Sequence, residues 1–167
     1  MHRAPTRPGP LALIAIFVCA LGVAACQPTA PVIKAPTTAK ATCTTTSTRS
    51  IVVAESIVNS TRRLLAAAKA DGVKRCGGGY RDAASQIAVR KNNCGPTYYD
   101  IYEKPANQCS PPTAKPGTSQ HEKGLAIDFE SCETKTTACH KWLVKHAATY
   151  GFKNLPSEPW HWSTTGG

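Results

Sequence analysis

The stretch SQHEKGLAIDF, residues 119–129, sets His121 seven positions ahead of Asp128, with Gly124 between them. Its second half alternates: Leu125, Ile127 and Phe129 share one face, Ala126 and Asp128 the other. That pattern predicts a half-buried strand carrying its carboxylate on the side away from the apolar residues. A second alternating stretch, EPWHWS at residues 158–163, puts Trp160 and Trp162 on one face and His161 on the other. Both tryptophans are expected in the core. Pro159 biases Glu158 toward an extended backbone. If the two strands are neighbours in one sheet, Asp128 and His161 converge. His121, on the loop entering the first strand, then completes a set of three.

Two imidazoles and one carboxylate suit zinc, and three protein ligands leave a position open for water. A carboxylate in the set lowers the charge of the site, so water there is acidified less than by three histidines. An adjacent general base is then useful, and Glu158, three residues before His161, is the candidate. A cation is also wanted for the oxyanion, and Arg81 supplies a group that stays charged. The HExxH signature is absent. His140 and His146 are expected to be structural, and Glu122, Glu130 and Glu133 to be solvated loop charges.

Outside these stretches the chain divides into three parts. Arg3 and Arg7 precede the apolar run LALIAIFVCALGVAA at 11–25, shorter than the about 20 residues of a spanning helix. Residues 1–25 are therefore expected to be a signal peptide. VAAC, Val23 to Cys26, resembles a bacterial lipobox, which implies lipidation at Cys26 and a membrane partner through that anchor. The protein is expected to be exported and held at the outer face of the bacterial cell membrane, or secreted. Residues 26–49, rich in Pro, Thr and Ala, are expected to be a tether, and 50–167 the folded domain.

Six of the eight cysteines lie beyond Cys26, an even number that suits disulfides in an exported chain. Short loops close at least entropic cost, which favours Cys132–Cys139 and Cys94–Cys109 and leaves Cys43–Cys76. No CxxC pair supports a zinc–cysteine cluster. The net charge of +10 suits anionic cell-wall polymers or lipid head groups. No stripe of basic and aromatic residues suggests nucleic acid, and a monomer is expected.

Within the domain, 50–72 is predicted to be a helix capped by Ser50 and ended by Gly72. VKRCGGGYR follows as a flexible glycine run leading to Tyr80 and Arg81. Residues 82–93 read as a helix with Asp82 as N-cap. The segment 94–118 is irregular, with five prolines and two cysteines; a loop of that length is often functional. Residues 136–151 read as a helix burying Ala138, Trp142, Ala147 and Tyr150.

Three motifs together resemble one family. SQHEKGLAIDF looks like the SxHxxGxAxD motif of VanY-like zinc D-alanyl-D-alanine carboxypeptidases, and EPWHWS like their ExWH motif. GYRDAASQ, 79–86, is similar to their upstream arginine motif, with a glutamine five residues after the arginine. All three stand in the family order and span roughly residues 50–163. The resemblance implies an α+β fold, with helices packed on a small antiparallel sheet that carries a zinc site, here stapled by disulfides. It implies zinc ligands at His121, Asp128 and His161, Glu158 as catalytic base and Arg81 as oxyanion stabiliser. Ser119, Gln86 and Tyr80 fall at or beside motif positions near the substrate. The implied substrate is the stem peptide of peptidoglycan. The same site would also serve an endopeptidase or an L,D-carboxypeptidase, and a zinc-stabilised wall-binding domain without catalysis is the reading from another class. The disulfides and the proline-rich 94–118 segment depart from the common family pattern.

Overall fold

The computed structural model describes residues 34–44 and 49–167. The expected signal peptide and the lipidation site at Cys26 lie outside the described residues. Among the described residues, no helix is long and apolar enough to cross a membrane.

The chain enters through a two-stranded antiparallel ribbon, β1 (Thr38–Thr42) with β2 (Ser50–Ala54), in which Thr38 pairs with Ala54 and Thr42 with Ser50. Two expectations change here. Residues 38–42 of the expected tether are a strand of the fold, with Ala41 fully buried in β1 opposite Ile51. The predicted helix at 50–72 starts only at Glu55: β-branched Ile51, Val52 and Val53 favour the pleated ribbon, and Ile51 and Val53 are buried from it. Helix α1 (Glu55–Ala70) then buries Ile57, Val58, Thr61, Leu64, Leu65 and Ala68 along one stripe. Glu55 in its first turn and Lys69 in its last complement the helix dipole.

The second sheet carries the site. Its four strands run in the order β3 (Gly77–Gly78), β4 (Ala126–Phe129), β6 (Glu158–Ser163), β5 (Lys153–Leu155), all antiparallel to their neighbours. The glycine run expected to be flexible is a strand, and two of its glycines are there for close approach. A Cβ on Gly77 would meet the Asp128 carbonyl oxygen at 2.2 Å, and one on Gly79 the Val52 carbonyl oxygen at 2.0 Å.

Helix α2 (Ala83–Cys94) starts as predicted at Asp82, whose carboxylate accepts from Ser85 N–H. Helix α3 (Ala138–His146), capped by Thr137, continues as a 3-10 turn to Tyr150, and Gly151 in the left-handed region ends it. Its buried face is Cys139, His140, Trp142, Leu143 and Ala147; Ala138 is exposed and Tyr150 half-buried, a rotation from the predicted face. The Trp142 indole N–H donates to Asp71 at 2.8 Å, tying α3 to the end of α1. One core joins both sheets to the helices through Leu64, Ile127, Phe129, Leu143, Phe152 and Trp162.

The six cysteines among the described residues stand in three pairs at disulfide distance, with Cα separations of 4.9 Å for Cys43 and Cys76, 4.4 Å for Cys94 and Cys109, and 5.0 Å for Cys132 and Cys139. The Cys94–Cys109 pair closes the 94–118 segment, which is not wholly irregular: it holds a π-helical turn (Tyr99–Glu103) and a 3-10 turn (Ala106–Gln108).

Candidate metal centre

The register of the second sheet makes the site. Asp128 on β4 lies directly opposite His161 on β6, although 33 residues separate them. Their side chains meet, with His161 Nδ1 2.9 Å from Asp128 Oδ1. His121 comes from the turn that precedes β4, with Nε2 3.1 Å from Asp128 Oδ2 and 3.2 Å from His161 Nδ1. One ligand atom from each of the three lies within 4.8 Å of the others, and both imidazoles are buried.

The turn bearing His121 is locked from several directions. The Ser119 hydroxyl accepts from His121 N–H, and the Glu122 carboxylate accepts from Gly117 and Ser119 N–H. Glu122 is buried, not the solvated charge expected, because its carboxylate closes this turn. Gly124 adopts φ +68° and sits so close that a Cβ would meet Ala54 N at 2.6 Å.

The donor set fits a divalent cation. His121 Nδ1 donates to the Gly79 carbonyl at 2.7 Å, which leaves Nε2 as a bare lone pair facing Asp128 and His161. Lone pairs of nitrogen and carboxylate oxygen at 3.1–3.2 Å repel unless a proton or a cation lies among them. With a proton in that place, burial opposes the charge on Asp128, yet hydrogen bonds and charge from His121 and His161 outweigh it and hold the carboxyl well below the usual range.

Glu158 joins the site through a defect in the sheet. On a regular strand Glu158 and His161, three apart, would face opposite sides. The β5–β6 register jumps between Asn154, which pairs with Trp162, and Leu155, which pairs with Glu158. The Asn154 amide spans the jump by donating to the carbonyls of Glu158 and His161 at 3.0 and 2.9 Å. Glu158 thus lines the same cleft as the histidines. Burial pushes its carboxyl up, against the charges of His161, His121 and Arg81.

Arg81 approaches from the other side, with Nη2 3.4 Å from Asp128 Oδ2 and Nη1 donating to Gln86 Oε1 at 2.9 Å. Gln86 is fully buried and its Nε2 donates to the Ala114 carbonyl at 2.8 Å. Both ends of that amide are therefore taken by the protein, so it orients Arg81. Ser119 lines the cleft as expected. Tyr80 does not; its backbone N–H bonds Val52 in the neighbouring ribbon. Trp162 is core, whereas Trp160 is half-buried and forms part of the cleft wall.

The opposite wall comes from the 94–118 segment, flagged by its length; what holds it was not legible. Pro111, Pro112, Thr113 and Ala114 line it, and fully buried Arg90 holds it. The Arg90 guanidinium donates to the carbonyls of Asp100, Ile101, Lys104 and Thr113. An arginine on a polar helix gives no local signal of such a role.

No curated protein matches the chain. Among solved structures the chain is similar to a mutant of the vancomycin resistance D,D-pentapeptidase VanY from a VanB-type resistance cassette, in complex with Zn(II). The two are 23% identical over 74% of this chain and 78% of that one, with a TM-score of 0.51. VanYB in complex with D-alanine-D-alanine matches at 24% identity over 67% and 71% of the two chains, with a TM-score of 0.49. The LdcB LD-carboxypeptidase matches at 25% identity over 67% and 58%, also at 0.49. The family model described as VanY, D-alanyl-D-alanine carboxypeptidase, matches residues 50–166, which take in both motif strands and the arginine motif, and the chain belongs to that family.

Proposed function

We propose that this protein is a zinc D-alanyl-D-alanine carboxypeptidase that trims peptidoglycan stem peptides, with His121, Asp128 and His161 as ligands. The observation that supports it is the convergence of these three side chains beside Glu158 and Arg81 in one cleft. Zinc is the metal of the family, and when bound it supplies a Lewis acid that polarises the scissile carbonyl and acidifies water.

The remaining steps belong to the chain's own groups. The Gly79 carbonyl fixes the His121 ring so that Nε2 faces the centre. Glu158 takes the proton from the attacking water and returns it to the leaving amine. Its burial raises its affinity for that proton, which suits a base that must later act as an acid. Arg81, aimed by Gln86, donates to the oxyanion that develops on the carbonyl. Ser119 lines the cleft, and its hydroxyl, which accepts from His121 N–H, keeps its own hydrogen to donate to the substrate.

Incubation of the purified protein with a stem pentapeptide tests the proposal. Release of D-alanine that a chelator stops and zinc restores is expected. Intact peptide after stoichiometric zinc loading would point to a binding domain instead. The masses of the products identify the bond, and cleavage at an internal or L,D position would reassign the specificity while keeping the site. We propose as well that a lipid on Cys26 anchors the domain outside the cell; a Cys26→Ala protein should leave the membrane fraction.

A further inference from the structure

The largest exposed aromatic side chains among the described residues are Tyr98, 40% exposed, and Tyr99, 52% exposed. They stand together on the stapled 94–118 segment, and Tyr98 packs on Tyr102 with ring centroids 4.8 Å apart. Consecutive exposed tyrosines on a stapled segment suit a contact surface. Their place relative to the cleft is fixed. The Arg90 guanidinium holds the carbonyls of Asp100, Ile101 and Lys104, in the tyrosine turn, and of Thr113, in the cleft wall. Turn and wall are thus clamped by one buried group and closed by Cys94–Cys109.

The distance also fits. The cleft runs along α2 from Gln86 to Asn93, and its wall from Pro111 to Ala114 belongs to the same 94–118 segment as the tyrosine turn, which packs on α2 through Arg90. Seven helical residues span about 10 Å at about 1.5 Å each. Three residues of extended peptide span about the same, at about 3.3 Å each. A stem peptide with its C-terminal end at the metal would therefore leave the cleft after about three residues, and the sugar, one residue further on, would lie against the outer side of the stapled segment, where the tyrosines are exposed.

Resting on the peptidase reading above, we propose that Tyr98, Tyr99 and Tyr102 form a surface on which the glycan strand of peptidoglycan stacks. Tyrosine rings offer a flat apolar face to the C–H face of a pyranose and a hydroxyl to its oxygens. The surface would favour stem peptides still attached to polymer over free ones.

The test sediments the purified full chain with peptidoglycan freed of attached anionic polymers, and with the same glycan stripped of its stem peptides. The Tyr98→Ala/Tyr99→Ala protein should be retained about tenfold less on both, a change of about 1.4 kcal/mol. The Tyr98→Phe/Tyr99→Phe protein should keep most of the retention, since it keeps the rings. Turnover of a free stem pentapeptide should be the same in all three proteins. Undiminished retention of the alanine protein would overturn the proposal. So would failure of the unaltered protein to bind stripped glycan, or an equal loss on the free peptide, which would move the tyrosines into the peptide site. Absence of hydrolysis by the unaltered protein would sink the peptidase reading alone, because sedimentation on stripped glycan still reports the surface.

Discussion

Arg81 and Arg90 sit at the two ends of the same short region of chain and do opposite things. Arg81, before α2, is part-exposed and turns its guanidinium to a carboxylate and the cleft. Arg90, within α2, is fully buried and spends its donors on backbone carbonyls of the stapled wall. Desolvation lowers the affinity of Arg90 for its proton, and the nearby Asp100 offsets part of that. A buried cation without a directly paired carboxylate is tolerated when all its donors are used. The difference separates a reactive end of the cleft, with groups left open to a substrate, from a structural end where every group is satisfied.

Substitutions at each end should separate these roles. At the reactive end Glu158→Gln should lower kcat by about a hundred- to ten-thousand-fold while zinc stays bound; metal analysis beside steady-state kinetics checks both. A rate near the parent's would remove Glu158 as the base. Arg81→Ala should cost about a hundred- to a thousand-fold in kcat, the loss typical of a removed oxyanion donor, with the thermal midpoint nearly unchanged.

Arg90→Met should do the reverse. It orphans four carbonyls, two buried and two part-buried, at about 1–3 kcal/mol for each left without water, so denaturant unfolding should show a marked loss of stability. Zinc affinity at saturating folded protein should hold. If Arg90→Met instead left stability intact and abolished turnover, the division between the two ends would fail.

The smallest effect expected is the pH dependence of the metal-free protein. The Asp128 carboxyl lies below its unfolded value, about 3.9, so the folded state binds its proton less readily. Its contribution is complete above that unfolded value and is lost as pH falls toward the lower folded one. Denaturation midpoints of chelator-treated protein should therefore decline below about pH 4, and Asp128→Asn should flatten that decline.

Much of the reactive end was legible because strands announce themselves by alternation. GLAIDF gave β4 and the outward carboxylate, and Trp162 with His161 gave the inner and outer faces of β6. What alternation hides is a register jump: Glu158 reaches the cleft only because Asn154 holds β6 out of step. Glycines were ambiguous for a related reason. A glycine run reads as flexible, yet Gly77 and Gly79 are tight because backbones from other elements fill the space of their missing Cβ. Glu122 was likewise unreadable, since the N–H groups it caps are exposed or buried according to how the turn packs.

Local chemistry and periodicity named the side chains that converge here: two imidazoles, two carboxylates and a guanidinium. Where those groups meet was decided by contacts between residues far apart in the chain. Asp128 faces His161 because β4 and β6 pair in one register, and a shift by one residue would turn every side chain to the other face. The cleft wall is held where it is because one buried guanidinium gathers four carbonyls from the tyrosine turn and the wall, beside the Cys94–Cys109 staple.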